Sequence, residues 1–422
     1  MKTLFFIPAF ALSIAVAPWC LYAGEHAGYE AVGNLQAERV LPEALLSGEH
    51  HQVEAQVRND GLFNHYNLNT SYGQFEVTTT TLLKIRVQET YAIAAMREIE
   101  ASNTAIDAVK SSGADAVEGA KNLLLHPMRT LGNAASAVEN LYVRTTGTIR
   151  RNAGDTEESA FSQLVGLAKV KGRIASQFGV NMYSRNPVLQ QDLDRLARAA
   201  FLGGLSVKVV SSVASSFTPV MGSVLISTSS AALLLNDMIN NTPPAKMWLQ
   251  NKQKLLAMDL GLEEDKIEIF LNRSVFSPAM QTVLVESLQG LGGVKNRVLF
   301  LDLALQVVDE ERARLITELA IMSVAYHKNI KPLEEFIPMA NVLSALTQAG
   351  AVVVLMPADY MIWSQKNARV MNIMSSRAGS GEDAQKQLWI LGQVSGKMRS
   401  HLLSDDWHVH THAGRLLQLK DG

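Results

Sequence analysis

The 422-residue chain is long enough for two or three domains, and its 47% hydrophobic and 18% charged residues exclude a disordered chain. A formal net charge of −2 gives no general attraction for nucleic acid, so none is expected as a partner.

The chain opens as a secretory leader. Lys2 is the only charge before Glu25, and the apolar run 4–19 is too short to span a bilayer comfortably. Polar composition resumes at Gly24. Residues 1–23 are therefore expected to be a signal peptide, cleaved near Ala23, which places the mature chain in the periplasm or outside a cell of Gram-negative type. Cys20 is the one cysteine. Trp19 before it is not the small residue that lipid attachment wants. If Cys20 leaves with the leader, disulfides, thiolate catalysis and cysteine-ligated zinc are excluded from the mature chain.

Residues 24–50, mixed and Gly/Glu-rich, are expected to be an extended lead-in. Residues 51–80 are expected to form an antiparallel β meander. In "HQVEAQV" the alternation sets Val53, Ala55 and Val57 on one face, and Asp60-Gly61 supplies a turn. The second run is 62–69 and the second turn 70–73. The third run starts at Gln74, with Phe75 and Val77 sharing a face. Three short strands are marginal alone and need a helical partner.

From Leu82 the apolar period lengthens to three and four, through Ile85, Ala92, Met96 and Ile99. Further on, Pro127 suits a first helical position, and Leu124 to Ile149 recur as a narrow apolar stripe. Five Lys/Arg flank that stripe against one glutamate: Lys121, Arg129, Arg144, Arg150 and Arg151. Such a helix can rest on an anionic membrane or on a protein partner. It can also pack internally, which the small residues Gly132, Ala134 and Ala135 favour.

Residues 151–159 form a loop by composition. Asn186 is a candidate cap, with Pro187 as first helical residue. The uncharged segment 209–236 is long enough to cross a bilayer, but its many hydroxyls make it a poor span. A buried hairpin bent at Pro219 fits equally well. An all-helical array is expected over 242–350, its last helix in "PLEEFIPMANVLSALTQ" (332–348). Beyond it, 351–357 is an apolar strand, 358–376 a helix and 377–386 a linker. Residues 387–392, 395–405 and 407–412 then suggest a small βαβ unit. The fold class expected is α+β, mainly α-helical. It consists of an N-terminal meander (24–80), a long helical body (81–350) and a C-terminal α/β module (351–422).

Chemistry is hinted at in one short stretch, "WHVHTHAG" (407–414). On a strand His408, His410 and His412 point to one side, and neighbours lie roughly 6–7 Å apart at Cα. His408 and His410 can share a zinc at that spacing, with further ligands sought among His401, Asp405, Asp406 and His65. The plainer reading is a wet strand face, because Trp407 and Val409 alternate with the histidines and want the core. "LGQVSGKM" (391–398) misses the phosphate-loop spacing by one residue, so no nucleotide is expected and Ser395 reads as a helix cap. Carboxylates at Glu263-Glu264 and 309–311 suit helix starts. Neither a Gly-x-Ser-x-Gly elbow nor His-Glu-x-x-His occurs.

No residue is nominated as catalytic, and no cofactor is expected beyond that zinc. The expected function is a non-enzymatic binding or structural protein of the cell envelope, acting through helical surfaces. Two competing expectations are a periplasmic metal-dependent hydrolase using the C-terminal histidines and a membrane-inserted protein using 209–236. Liposome flotation tests the basic stripe. The chain should float with anionic vesicles, and a variant with Arg144, Arg150 and Arg151 changed to Glu should not. Equal flotation of both would remove that surface.

Overall fold

The computed structural model describes residues 28–101, 155–201, 239–240, 242–340, 342–377 and 385–417. The expected leader 1–23, the expected basic stripe with Lys121, Arg129, Arg144, Arg150 and Arg151, and the segment 209–236 lie outside the described residues. Those described form a mixed α+β structure with two main sheets.

The N-terminal sheet is larger than a three-stranded meander. Its strands are β1 (Gly33–Gln36), β2 (Ser47–Gly48), β3 (His51–Val53), β4 (Gln56–Asn59), β5 (Asn64–Thr70) and β6 (Gly73–Thr78). The three expected runs are present, all antiparallel, with the first broken into β3 and β4 at Glu54-Ala55. That break explains why Val53 and Val57 are buried while Ala55 between them is exposed. The expected lead-in is not simply extended. It adds β1 beside β4, β2 beside β3, and two single-turn helices, α1 (Ala37–Val40) and α2 (Glu43–Leu46). Ala37, Leu41 and Leu45 give these turns their reason, since all three are buried against Val57, Tyr66 and Leu68.

Helix α3 (Thr80–Ala101) follows β6 directly. Its first half, through Leu83 and Val87, closes the N-terminal sheet core. Its second half, through Ala92, Met96 and Ile99, packs on α4 (Asp155–Gln177) and α5 (Pro187–Phe201). Asn186 caps α5 as expected, its Oδ1 accepting from Val188 N at 3.1 Å. The helical array then runs through α6 (Pro244–Ala257), α7 (Glu264–Leu271), α8 (Pro278–Gly290), α9 (Leu299–Gln306) and α10 (Glu310–Asn329). Ser277 caps α8 and Asp309 caps α10, and acidic residues fill the first turns of α7 and α10, where the dipole favours them.

The array ends at Asn329, so the helix expected over 332–348 is corrected. That segment is a hairpin of β7 (Leu333–Met339) and β8 (Val342–Thr347). The misleading cue has a physical origin. A bulge between Leu333 and Glu335 puts Leu333 and Phe336 on one face, and Met339 is buried on the other face of the covered sheet, so buried residues fall at a spacing of three, which imitates a helix. Pro338 is tolerated because β7 is the outermost strand of its sheet.

The C-terminal module is more than one βαβ unit. Strands β9 (Val352–Met356), β11 (Lys386–Ile390) and β13 (Trp407–His410) are parallel and adjacent. Helices α11 (Gln365–Arg377) and α12 (Gly396–Ser404) link them, and β8 adds antiparallel to β9. Two-residue strands β10 (Tyr360–Met361) and β12 (Gln393–Val394) pair separately, and α13 (Ala413–Leu416) ends the described chain. The sheet is covered on both faces. Val353, Leu355 and Trp389 meet the array, while Val352, Val354, Leu388 and Trp407 meet α11 and α12. Ser395 caps α12, its Oγ accepting from Met398 N at 3.0 Å.

Open parallel sheets commonly hold ligands outside the carboxyl ends of their strands. Here that edge is occupied by the N-terminal module. Phe63 packs into the C-terminal core, and Leu62 O accepts from Asp359 N (3.0 Å) and Tyr360 N (3.1 Å). The buried Asp359 carboxylate, on the loop after β9, accepts from Asn64 N at 3.0 Å and from Thr80 N at 2.8 Å. One side chain thus holds both the start of β5 and the start of α3. Asp359→Ala should lower unfolding free energy on the order of 2 kcal/mol, because two part-buried backbone donors lose their acceptor. Urea denaturation measures it, and a loss below about 1 kcal/mol would show that the two starts are held by other contacts.

Candidate functional site

The outer face of the N-terminal sheet is polar along its length. Tyr66 and Leu68 of β5 point into the core, so His65, Asn67 and Asn69 point out. Their in-register neighbours share that face. Arg58 and Thr78 flank His65, Glu76 sits opposite Asn67, and Gln52 and Gln74 flank Asn69. Glu54 joins the middle row by accepting from Asn67 Nδ2 at 2.8 Å. A shallow groove of about 360 Å³ runs over Glu54, Asn67, Asn69, Gln74 and Glu76.

At one end of the groove, three side chains form a continuous relay. Thr78 Oγ1 lies 3.1 Å from His65 Nδ1, and His65 Nε2 lies 3.2 Å from Asp60 Oδ2. An ionised carboxylate only accepts, so Nε2 carries a proton toward Asp60, and neutral His65 is left with Nδ1 as acceptor for the Thr78 hydroxyl. The other Asp60 oxygen accepts from Leu62 N (3.0 Å) and Phe63 N (2.8 Å), which fixes the carboxylate against the turn. Burial pushes the Asp60 carboxyl up, but the bonds from His65 and the Phe63 and Leu62 amides outweigh it and leave it below the ordinary aspartate value. His65 is 24% exposed, enough to meet a ligand from solvent. Glu311 of α10 borders the relay and offers the Thr78 hydroxyl a second acceptor; burial holds its carboxyl above the usual range.

The relay sits on a strained corner. Thr78 ends β6, Thr79 has φ of +78°, and α3 begins at Thr80. A β-branched residue in that region is strained. The surroundings enforce it: Thr79 N donates to Asn64 O at 2.9 Å, and Thr79 Oγ1 accepts from Leu82 N at 3.2 Å.

The C-terminal histidines go elsewhere. His408 and His410 share one side of β13, as the alternation requires, with Trp407 buried on the other. His408 is exposed, whereas His410 stacks on the Trp389 ring at 3.9 Å, so its side of the strand is partly covered. The strand ends there, and His412 adopts φ of +52° at the start of α13, out of the alternation. The other ligand candidates are engaged separately: His401 stacks on Trp363, Asp405 accepts from Ser375, and His65 belongs to the relay. Among the described residues no three of His, Cys, Asp and Glu are grouped as metal ligands. No described helix is long and apolar enough to cross a membrane. A second groove, about 320 Å³ between α6 and α8, contains Lys254 and Glu286, which pair with each other.

The relay was not singled out from the sequence, although its signal was present. A two-residue turn at Ser71-Tyr72 pairs Thr70 with Gly73, and the same register places His65 opposite Thr78. No protein-family model matches the chain, and no curated protein or solved structure matches it.

One further buried group adjoins this region. Glu318, on α10 two turns beyond Glu311, has both carboxylate oxygens out of reach of solvent and without a hydrogen-bond partner. Burial raises its pKa to about 7, with Asp359 reinforcing the shift and Arg314 and Lys84 opposing it. The folded chain therefore keeps a proton that the unfolded chain releases near the ordinary glutamate value. Stability present at acid pH should be lost between about pH 4.5 and 7, by about 3 kcal/mol in all. Glu318→Gln should match the parent near pH 4 and exceed it above pH 7 in urea titrations. Parallel curves across that range would show that the carboxyl stays ionised.

Proposed function

We propose that the chain is an exported protein of the bacterial cell envelope that works by binding, and that its ligand is a neutral, polyhydroxylated chain such as an envelope saccharide. The leader-like residues 1–23 support export. The observation that carries the ligand class is the outer face of the N-terminal sheet. Carboxamides at Gln52, Asn67, Asn69 and Gln74 stand in rows across three strands, with Glu54 and Glu76 beside them. A carboxamide both donates and accepts, as a sugar hydroxyl does, and repeated rows suit a repeating ligand. The charges on the face, Glu54, Glu76 and Arg58, are of both signs, so its recognition rests on hydrogen bonds rather than on long-range attraction.

The filled carboxyl edge of the parallel sheet supports the same reading, because surfaces are then left to meet the partner. The envelope-surface role of the basic stripe remains part of this proposal and is independent of the sheet face.

Titration calorimetry with an N-acetylglucosamine oligosaccharide tests the ligand class. Changing Asn67 and Gln74 together to Ala should weaken binding about tenfold or more, from about 1 kcal/mol for each lost hydrogen bond. Equal affinity of parent and double variant, or no heat from the parent, would end the assignment.

A further inference from the structure

The relay at the end of the groove is arranged for more than holding a ligand. A nucleophilic hydroxyl needs a base within hydrogen-bond reach and a third group to orient that base. Thr78, His65 and Asp60 meet this description at 3.1 and 3.2 Å. Asp60 is itself fixed by two backbone amides, so the imidazole is held in one tautomer and one plane. The hydroxyl stands on the last paired residue of β6, directly before the strained Thr79 that opens into α3. Arg58, exposed and in register with His65, places a cation on the same face. The groove residues Asn67 and Glu76 form the cross-strand pair next to His65 and Thr78 on the same face, so the relay adjoins the groove.

We propose that Thr78 is a nucleophile for acyl transfer, with His65 as general base, Asp60 as its positioning residue and acyl esters on a polyhydroxylated chain as the substrate class. In the first step the Thr78 Oγ–acyl carbon bond forms, and the Thr78 proton moves to His65 Nδ1. The ester C–O bond then breaks, and His65 returns that proton to the departing sugar hydroxyl. In the second step water attacks the acyl–Thr78 ester and gives its proton to His65. The Thr78–acyl bond breaks, and Thr78 Oγ is reprotonated from His65. A free carboxylic acid and the deacylated chain are released, with no redox change and no co-reactant beyond water. The assignment of acyl esters on a saccharide rests on the saccharide reading above; the relay's reactivity does not.

The full chain is tested with two small probes, p-nitrophenyl acetate and a fluorophosphonate, followed by an O-acetylated oligosaccharide. The parent should hydrolyse the ester above background and carry the phosphonate on Thr78 by peptide mass spectrometry. Thr78→Ala and His65→Gln should lose about a hundredfold in kcat with KM little changed, in the range expected for loss of a base or its partner. Asp60→Asn should lower kcat with less effect on KM. Thr78→Ser should retain both labelling and turnover, which a purely structural role for the hydroxyl would not predict. Hydrolysis equal in parent and Thr78→Ala, or a parent left unlabelled on Thr78, overturns the proposal even if the oligosaccharide binds. Labelling and turnover of the small ester without saccharide binding would instead uphold the relay and end the saccharide reading.

Discussion

The Asp359 carboxylate is the contact on which the arrangement turns. Taking a carboxylate out of water costs several kcal/mol, and it persists only where donors replace the water. Here the replacements are Asn64 N and Thr80 N, from positions nearly three hundred residues earlier. Burial pushes the group up and these donors pull it back. Behind it there is no slack: a Cβ on Gly392 would stand 1.7 Å from Asp359 O, so the loops after β9 and β11 are in backbone contact. The C-terminal sheet therefore dictates where β5 begins and where α3 begins. The corner between β6 and α3 is pinned from both ends. That pinning sustains the left-handed Thr79, a conformation costing about 1–3 kcal/mol that local sequence would not choose.

Elements whose periodicity and caps agree were legible in advance. The cap at Asn186 and the Ser395 cap each rest on local hydrogen-bond chemistry, and each is present. The β7–β8 hairpin was not legible as strands, because one bulge and burial on both faces of the sheet together replace a period of two with a spacing of three. The lead-in strands β1 and β2 were equally hidden. Their partners are β4 and β3, and pairing of that kind depends on register rather than on the run's own composition. The C-terminal sheet was seen in fragments. Its three parallel strands read as short apolar or alternating runs, but nothing in them shows that β8 would join antiparallel.

Histidines drew attention to the C-terminus because alternation makes them conspicuous there. The more organised imidazole was His65, whose partners come from three places: the turn at Asp60, the neighbouring strand at Thr78 and the helix residue Glu311. A linear motif cannot show such a set. A hairpin register can, and for this pair the turn at 71–72 was enough to derive it. His410, by contrast, is accounted for by the indole it covers.

The relay and the junction are mechanically one object. Asn64, which donates to Asp359, neighbours His65 on the same strand, and Thr80, which donates to the same carboxylate, follows Thr78 by two residues. The contact to Asp359 is made by the Asn64 backbone N–H, one residue before His65, so the fixed point of β5 adjoins the residue whose side chain faces outward. The backbones that carry His65 and Thr78 are therefore tied to the Asp359 contact, while the His65–Asp60 bond itself lies at the surface. A hydroxyl, an imidazole and a carboxylate on a mobile surface would drift apart. On this face their backbones are locked by the sheet register, by the Asp60 turn and by a carboxylate from the far end of the chain. Placing reactive groups on rigid elements, with the strain absorbed at one adjoining residue, is the arrangement that orientation-dependent chemistry requires.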